Sequence, residues 1–134
     1  DLTKLVSAPK DIFMGTDAAW ATGNITDGPW LYTASDGSLL MLWSNFDEAG
    51  YAVGMARSES GNITGPWKQL PYEPYSQRLS GGFDGGHGML FRAADGQLYL
   101  SIHSPNGKTG NRETLAIFVP VHEIGNTLWW EFKN

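Results

Sequence analysis

The sequence predicts an all-β fold, and three observations carry that prediction. Six tryptophans, five tyrosines and six phenylalanines supply large apolar areas in a chain of 134 residues, and such side chains suit pleated, half-buried surfaces. Seventeen glycines mark frequent turns. No segment of ten residues joins a 3.6-residue apolar period to helix caps, so helix is expected to be minimal.

A repeat gives the architecture. The tract Leu31-Tyr-Thr-Ala-Ser-Asp-Gly-Ser-Leu-Leu-Met-Leu-Trp43 recurs fifty-nine residues later as Leu90-Phe-Arg-Ala-Ala-Asp-Gly-Gln-Leu-Tyr-Leu-Ser-Ile102. Five of the thirteen aligned positions are identical, and an Asp-Gly turn sits between two apolar runs in each copy. A period of this size with that pattern is the signature of four-stranded β-propeller blades. Closed propellers have about four to eight blades. This chain holds about two, plus a remnant strand, so the ring is expected to be incomplete in one chain.

Taken in order, residues 1–28 are read as a remnant and a crossing loop. Leu5-Val6 and Ile12-Phe13-Met14 flank Pro9 and suggest the outer strand of a preceding blade, followed by a small, polar loop from Gly15 to Thr26. Residues 29–70 form the first blade, with strands near 29–34, 38–44, 51–58 and 66–70. Its third strand, Tyr51 to Ser58, alternates too loosely for an exposed strand and fits burial on both faces. The loop residues Asp47 and Glu48 are read as solvated. A second crossing loop covers 71–87, and residues 88–134 form the second blade with strands near 88–93, 97–103, 114–121 and 127–133. Trp43, Trp67 and Trp130 are assigned to the core.

Composition excludes several classes of function. With no cysteine there is no disulfide framework and no thiolate metal site. A net charge of −5 and only nine Lys and Arg argue against nucleic acid or an anionic membrane as partner. The longest apolar stretch, Leu39 to Trp43, is far short of the ~20 residues that span a bilayer, and the start at Asp1 has no signal-peptide form. The molecule reads as soluble, and as a processed or excised piece. Two unclosed blades would expose sheet edges and half a channel, so a homo-oligomer or a partner chain carrying the missing N-terminal blades is expected.

Two polar insertions precede the repeats, Thr26-Asp27-Gly28-Pro29 and Gly85-Gly86-His87-Gly88. Blades begin their innermost strands at the central channel, so Asp27 and His87 are expected to face a common axis. Each also has a plain reading as a turn residue. Their like positions in the two blades favour function.

Ile25-Thr26-Asp27-Gly28-Pro29-Trp30-Leu31-Tyr32, Leu39-Leu40-Met41-Leu42-Trp43-Ser44, Gly50-Tyr51-Ala52-Val53-Gly54, Ile63-Thr64-Gly65-Pro66-Trp67 and Asp84-Gly85-Gly86-His87-Gly88-Met89-Leu90 follow one another in fixed order. Together they resemble the C-terminal half of glycoside hydrolase family 43. The resemblance implies a five-bladed propeller and inverting hydrolysis of arabinose- or xylose-containing glycans. It places Asp27 where the family has the general-acid glutamate of its Thr-Glu-Gly-Pro motif, one methylene shorter. It implies that His87 lies at the channel axis, beneath the sugar or near a calcium ion, although one imidazole is a poor start for an ion that prefers six to eight oxygens. Trp20 and Phe83, in crossing loops, and Arg112 are the further candidates for binding a pentose-containing glycan. Both aspartates that support the acid belong, by the same resemblance, to N-terminal blades that this chain lacks. A secreted or periplasmic location suits a full-length form. The alternative is a non-catalytic carbohydrate-binding or self-assembling propeller fragment.

Overall fold

The computed structural model describes residues 3–130. Two antiparallel four-stranded sheets account for its strands, in the orders β1-β2-β3-β4 and β5-β6-β7-β8. The first comprises β1 (Asp27–Thr33), β2 (Leu39–Asp47), β3 (Gly50–Ser58) and β4 (Trp67–Gln69). The second comprises β5 (Gly86–Arg92), β6 (Leu98–Ser104), β7 (Leu115–Ile124) and β8 (Thr127–Trp130). These are the two blades the repeat predicts, and they form no closed ring. The last residues of the expected final strand lie outside the described residues.

Because side chains alternate across a strand, the register shows how the blades stack. Leu40, Leu42, Val53 and Met55 of the first sheet share one core with Leu90, Leu98, Leu100 and Ile102 of the second. By the fifty-nine-residue offset, Leu98, Leu100 and Ile102 correspond to Leu39, Met41 and Trp43, and Met41 and Trp43 alternate with Leu40 and Leu42 on the opposite side of β2. The front of one blade therefore packs on the back of the next. The packing is head-to-tail, and it leaves one front face open. On the second sheet that face carries Phe91, Tyr99 and Phe118, with rings 5.7 and 5.6 Å apart, and Phe118 is 61% exposed.

The back of the first sheet is covered differently from the sequence expectation. No strand occurs between residues 3 and 26, where a remnant strand was expected; a single 3-10 turn spans Gly15–Asp17. Phe13, Ala18, Trp20 and Ala21 instead lie across Trp43 and Ala52, with Trp20 and Phe13 at 5.0 and 5.2 Å from the Trp43 ring. A segment laid flat on a sheet face covers apolar area without needing a strand to pair with. Trp43 also donates its indole N–H to Gln69 Oε1 at 3.0 Å.

Three other expectations change. Asp47 is buried rather than solvated, because its Oδ1 accepts the Ala49 and Gly50 N–H groups at 2.7 and 2.9 Å and so builds the β2–β3 turn. Trp67 is only partly buried on the short edge strand β4, and its N–H turns back to the Ile63 carbonyl. The second crossing loop contains a one-turn helix, α1 (Gln77–Ser80), ended by Gly81 at φ +64°. Arg78 on it pairs with buried Glu73 and lies 3.7 Å from Asp47. Residues 51–56 of β3 are buried throughout, as the pattern predicts.

Candidate functional site

Both inner strands begin two residues earlier than the sequence indicates, and the reason is a bulge. Pairing of β1 with β2 shifts register between Asp27 and Trp30, and pairing of β5 with β6 shifts between Gly86 and Met89. The offset makes these the same bulge in two blades, with Gly28 matched to His87. Both residues are left-handed, at φ +52° and +53°. A glycine adopts that conformation freely. His87 is the one non-glycine residue with positive φ among those described, and such strain, on the order of 1–3 kcal/mol, concentrates at functional sites.

The two bulges meet. A Cβ on Gly28 would fall 2.8 Å from His87 Cα, so only glycine lets the blades approach there. The approach sets His87 Nδ1 3.2 Å from Asp27 Oδ2. Tyr51, at the start of β3, donates its hydroxyl to the same oxygen at 2.7 Å, while the Gly28 N–H reaches Oδ1 at 2.9 Å. The His87 N–H is held by Ser44 Oγ at 2.9 Å. Tyr51 stacks on His103 with ring centroids 5.4 Å apart and planes 13° from parallel, and His103 lies 6.5 Å from His87. Beside these imidazoles is a shallow cavity of about 270 Å³ that includes Ser101 and Thr114 in its lining.

Hydrogen bonding from Tyr51 is the largest influence on Asp27 and lowers its pKa below the ordinary value; partial burial opposes it, and His87 lowers it further. The Tyr51 phenol is pushed well above its usual range, first by burial and then by the Asp27 carboxylate. The site as it stands favours an ionised Asp27.

Of the five residues singled out by sequence, the structure joins Asp27 and His87 directly. Phe83 and Arg112 meet each other instead, the guanidinium 4.6 Å above the ring as in a cation–π pair. Asp84, the residue after Phe83, ties this loop to the site: its carboxylate accepts the Tyr51 N–H and the Asn106 N–H, both at 3.1 Å. Trp20 is a correction. It is 9% exposed and packs over Gly54 and against Trp43, behind the first sheet, so it is a core residue. Tyr51, Ser44 and His103 were not singled out. The repeat held a signal for two of them, since Ser44 and His103 lie fifty-nine residues apart and face Asp27 and Gly86 across the two bulges.

Asp27 and His87 fit calcium poorly. They offer one nitrogen and a carboxylate already engaged by three donors, and no group of three or more His, Cys, Asp or Glu that could hold a metal occurs among the described residues. A larger cavity of about 400 Å³, lined by Tyr72, Leu79, Trp129 and Trp130, shares no lining residue with the site.

Residues 1–120 match the sequence profile of Glycosyl hydrolases family 43. The chain belongs to glycoside hydrolase family 43. It is 32% identical over 132 residues to a xylan 1,3-beta-xylosidase of a Vibrio species, an alignment that covers 93% of this chain and 22% of that protein. Among solved structures, an endo-arabinase from Bacteroides thetaiotaomicron superposes with a TM-score of 0.69 at 35% identity, over 85% of this chain and 40% of that one. An α-L-arabinofuranosidase from Lactobacillus brevis shares the fold at a TM-score of 0.60 and 19% identity, over 91% of this chain and 43% of the other. This family 43 chain thus spans less than half the length of the relatives it matches.

Proposed function

We propose that this family 43 chain carries the general-acid side of a glycosidase site for arabinose- or xylose-containing glycans, with Asp27 as the acid and His87 beside the sugar. The observation that supports it is the meeting of two equivalent bulges, which bring a carboxylate from one blade and an imidazole from the next within 3.2 Å. The xylosidase and endo-arabinase names of its relatives support a pentose glycan. Inverting hydrolysis needs a second carboxylate about 6.5–9.5 Å from the acid to activate water. Asp84 is poorly suited to that role because both of its oxygens hold backbone N–H groups. The base therefore comes from other blades in this reading.

A general acid must keep its proton near neutrality, and Asp27 is biased the other way. A base carboxylate brought near, and a glycan that excludes water, would each raise its pKa. The ionised state favours a second reading, a binding module that holds glycan without cleaving it. Either reading gives the open face of Phe91, Tyr99 and Phe118 a partner. The equivalent face of the first blade is covered by a sheet, so the natural occupant is another blade, from a partner chain or a second copy.

The test is binding and hydrolysis measured together. Arabino- and xylo-oligosaccharides are expected to shift the Asp27 and His87 resonances of the chain. Aryl pentosides should be cleaved only when a polypeptide with the remaining blades is added, and not by Asp27→Ala. Equal cleavage by the wild type and that variant removes the acid assignment, and binding without cleavage in the completed assembly selects the binding module.

A further inference from the structure

We propose that Tyr51 is the positioning residue of this site, the side chain that locks the carboxylate of the first blade to the imidazoles of the second. The inference rests on the Asp27 and His87 reading but goes beyond it, since neither blade alone can set their geometry.

Tyr51 is buried, 4% exposed, and is engaged by the second blade's start along its whole length. Its carbonyl accepts the Gly85 N–H at 2.9 Å, and its N–H is donated to Asp84 Oδ2. Its ring fills the space where a Cβ on Gly86 would lie, 2.6 Å from Tyr51 Cε1. Phe46 packs tilted against the ring, with centroids 5.2 Å apart, and the ring also stacks on His103. Only after these contacts fix the ring does the hydroxyl reach Asp27 Oδ2. A phenol held this way points its proton in one direction. It pins Asp27 Oδ2 between an O–H donor and the His87 imidazole, and an ordinary hydroxyl on an exposed loop would not.

The groups that face the pair are few. Tyr51 comes from β3, Ser44 from β2, His87 from β5 and His103 from β6, while the Asp84 carboxylate is turned to backbone N–H groups. Removing the Tyr51 hydroxyl therefore leaves Asp27 with His87 and the Gly28 N–H as its protein donors. The carboxyl then binds its proton more readily. Asp27 would keep its proton to higher pH and lose its fixed direction.

Tyr51→Phe in the isolated chain tests this, because it keeps the ring, the stack and the fit against Gly86. The carboxyl titration of Asp27, followed by carbon-detected NMR, is expected to move to higher pH. Other aspartates, including Asp36 and Asp95 in the hairpin turns, serve as internal controls. Thermal melting reports any structural loss separately, and a structural role alone would lower the melting temperature without moving the Asp27 midpoint. An unchanged Asp27 curve in a folded variant overturns the proposal. Should Tyr51→Phe fail to fold, Asp27→Asn provides the reciprocal measurement: the absorbance titration of the Tyr51 phenol must shift to lower pH, and an unshifted phenol also overturns it. Both readouts are independent of glycan cleavage, so failure of the acid assignment and failure of this inference are distinguishable.

Discussion

His87 occupies a backbone position that suits glycine, and its counterpart Gly28 shows what that position prefers. His87→Gly is expected to raise stability by about 1 kcal/mol, the smaller end of the left-handed penalty, while weakening glycan binding; a denaturant midpoint and a binding titration check the two effects. A gain in stability with a loss of function is the mark of a strained site. Asp27 makes a prediction about pH. Its folded pKa lies below the ordinary value, so its contribution to stability is complete above the pKa of an unfolded aspartate and is lost as pH falls through the folded value. Asp27→Asn should flatten the acid side of the stability profile obtained by thermal melting across that range. The sequence put Asp27 and His87 in the polar insertions that open the two blades, one position out of step by the fifty-nine-residue offset. It did not show that they touch, because contact depends on how closely two glycine-lined bulges approach.

At the level of elements, the blades are joined by side chains distant in sequence. Glu123 on β7 accepts the Tyr32 hydroxyl at 2.6 Å and the Ser35 N–H, and its pKa is lowered first by the Ser35 hydrogen bonding and then by that of Tyr32. Arg92 Nη2 reaches the Tyr32 oxygen at 3.1 Å. Glu123→Gln is expected to cost about 1 kcal/mol at neutral pH, as for a hydrogen bond to a partly exposed charge. The same sign argument applies, and the gap to wild type in melting experiments should close as pH drops below the ordinary glutamate range. Trp20 belongs to this level too. Trp20→Ala should cost about 3–5 kcal/mol, the usual loss for a buried tryptophan, with no direct effect on glycan contacts. Placing Trp20 in a loop was legible in the sequence. Which side of the sheet that loop covers was decided by the bare surface of Gly54 and the back-facing ring of Trp43.

For the whole molecule, head-to-tail stacking has a consequence that no single blade has. Heterologous interfaces close into a ring or continue without limit, and two blades leave the front of the second uncovered. In the proposed reading, that apolar face is where another blade docks. Phe118→Glu is expected to abolish association with a blade-bearing partner, or self-association where a second copy is the occupant. Secondary structure should persist, because Phe118 points away from the core shared by the two sheets. Sedimentation velocity and circular dichroism on the same sample check both parts. A Phe118→Glu chain that associates as the wild type does would place the contact elsewhere.

The sequence by itself determined the all-β class, the two four-stranded blades and the family, because these are written in a repeat, in turn residues at fixed offsets and in a run of motifs. It also singled out Asp27 and His87 as candidates, one at the opening of each blade. Only the tertiary structure decided that Asp27 is held between Tyr51 and His87, that Arg112 lies over Phe83, that Trp20 is core and that one aromatic face is open. Those outcomes depend on distances between segments far apart in the chain, set by packing one blade's front on the next blade's back and by laying the N-terminal segment over the back of the first. A local pattern fixes the strand and the side on which a residue lies, and the docking of whole sheets fixes what that residue meets.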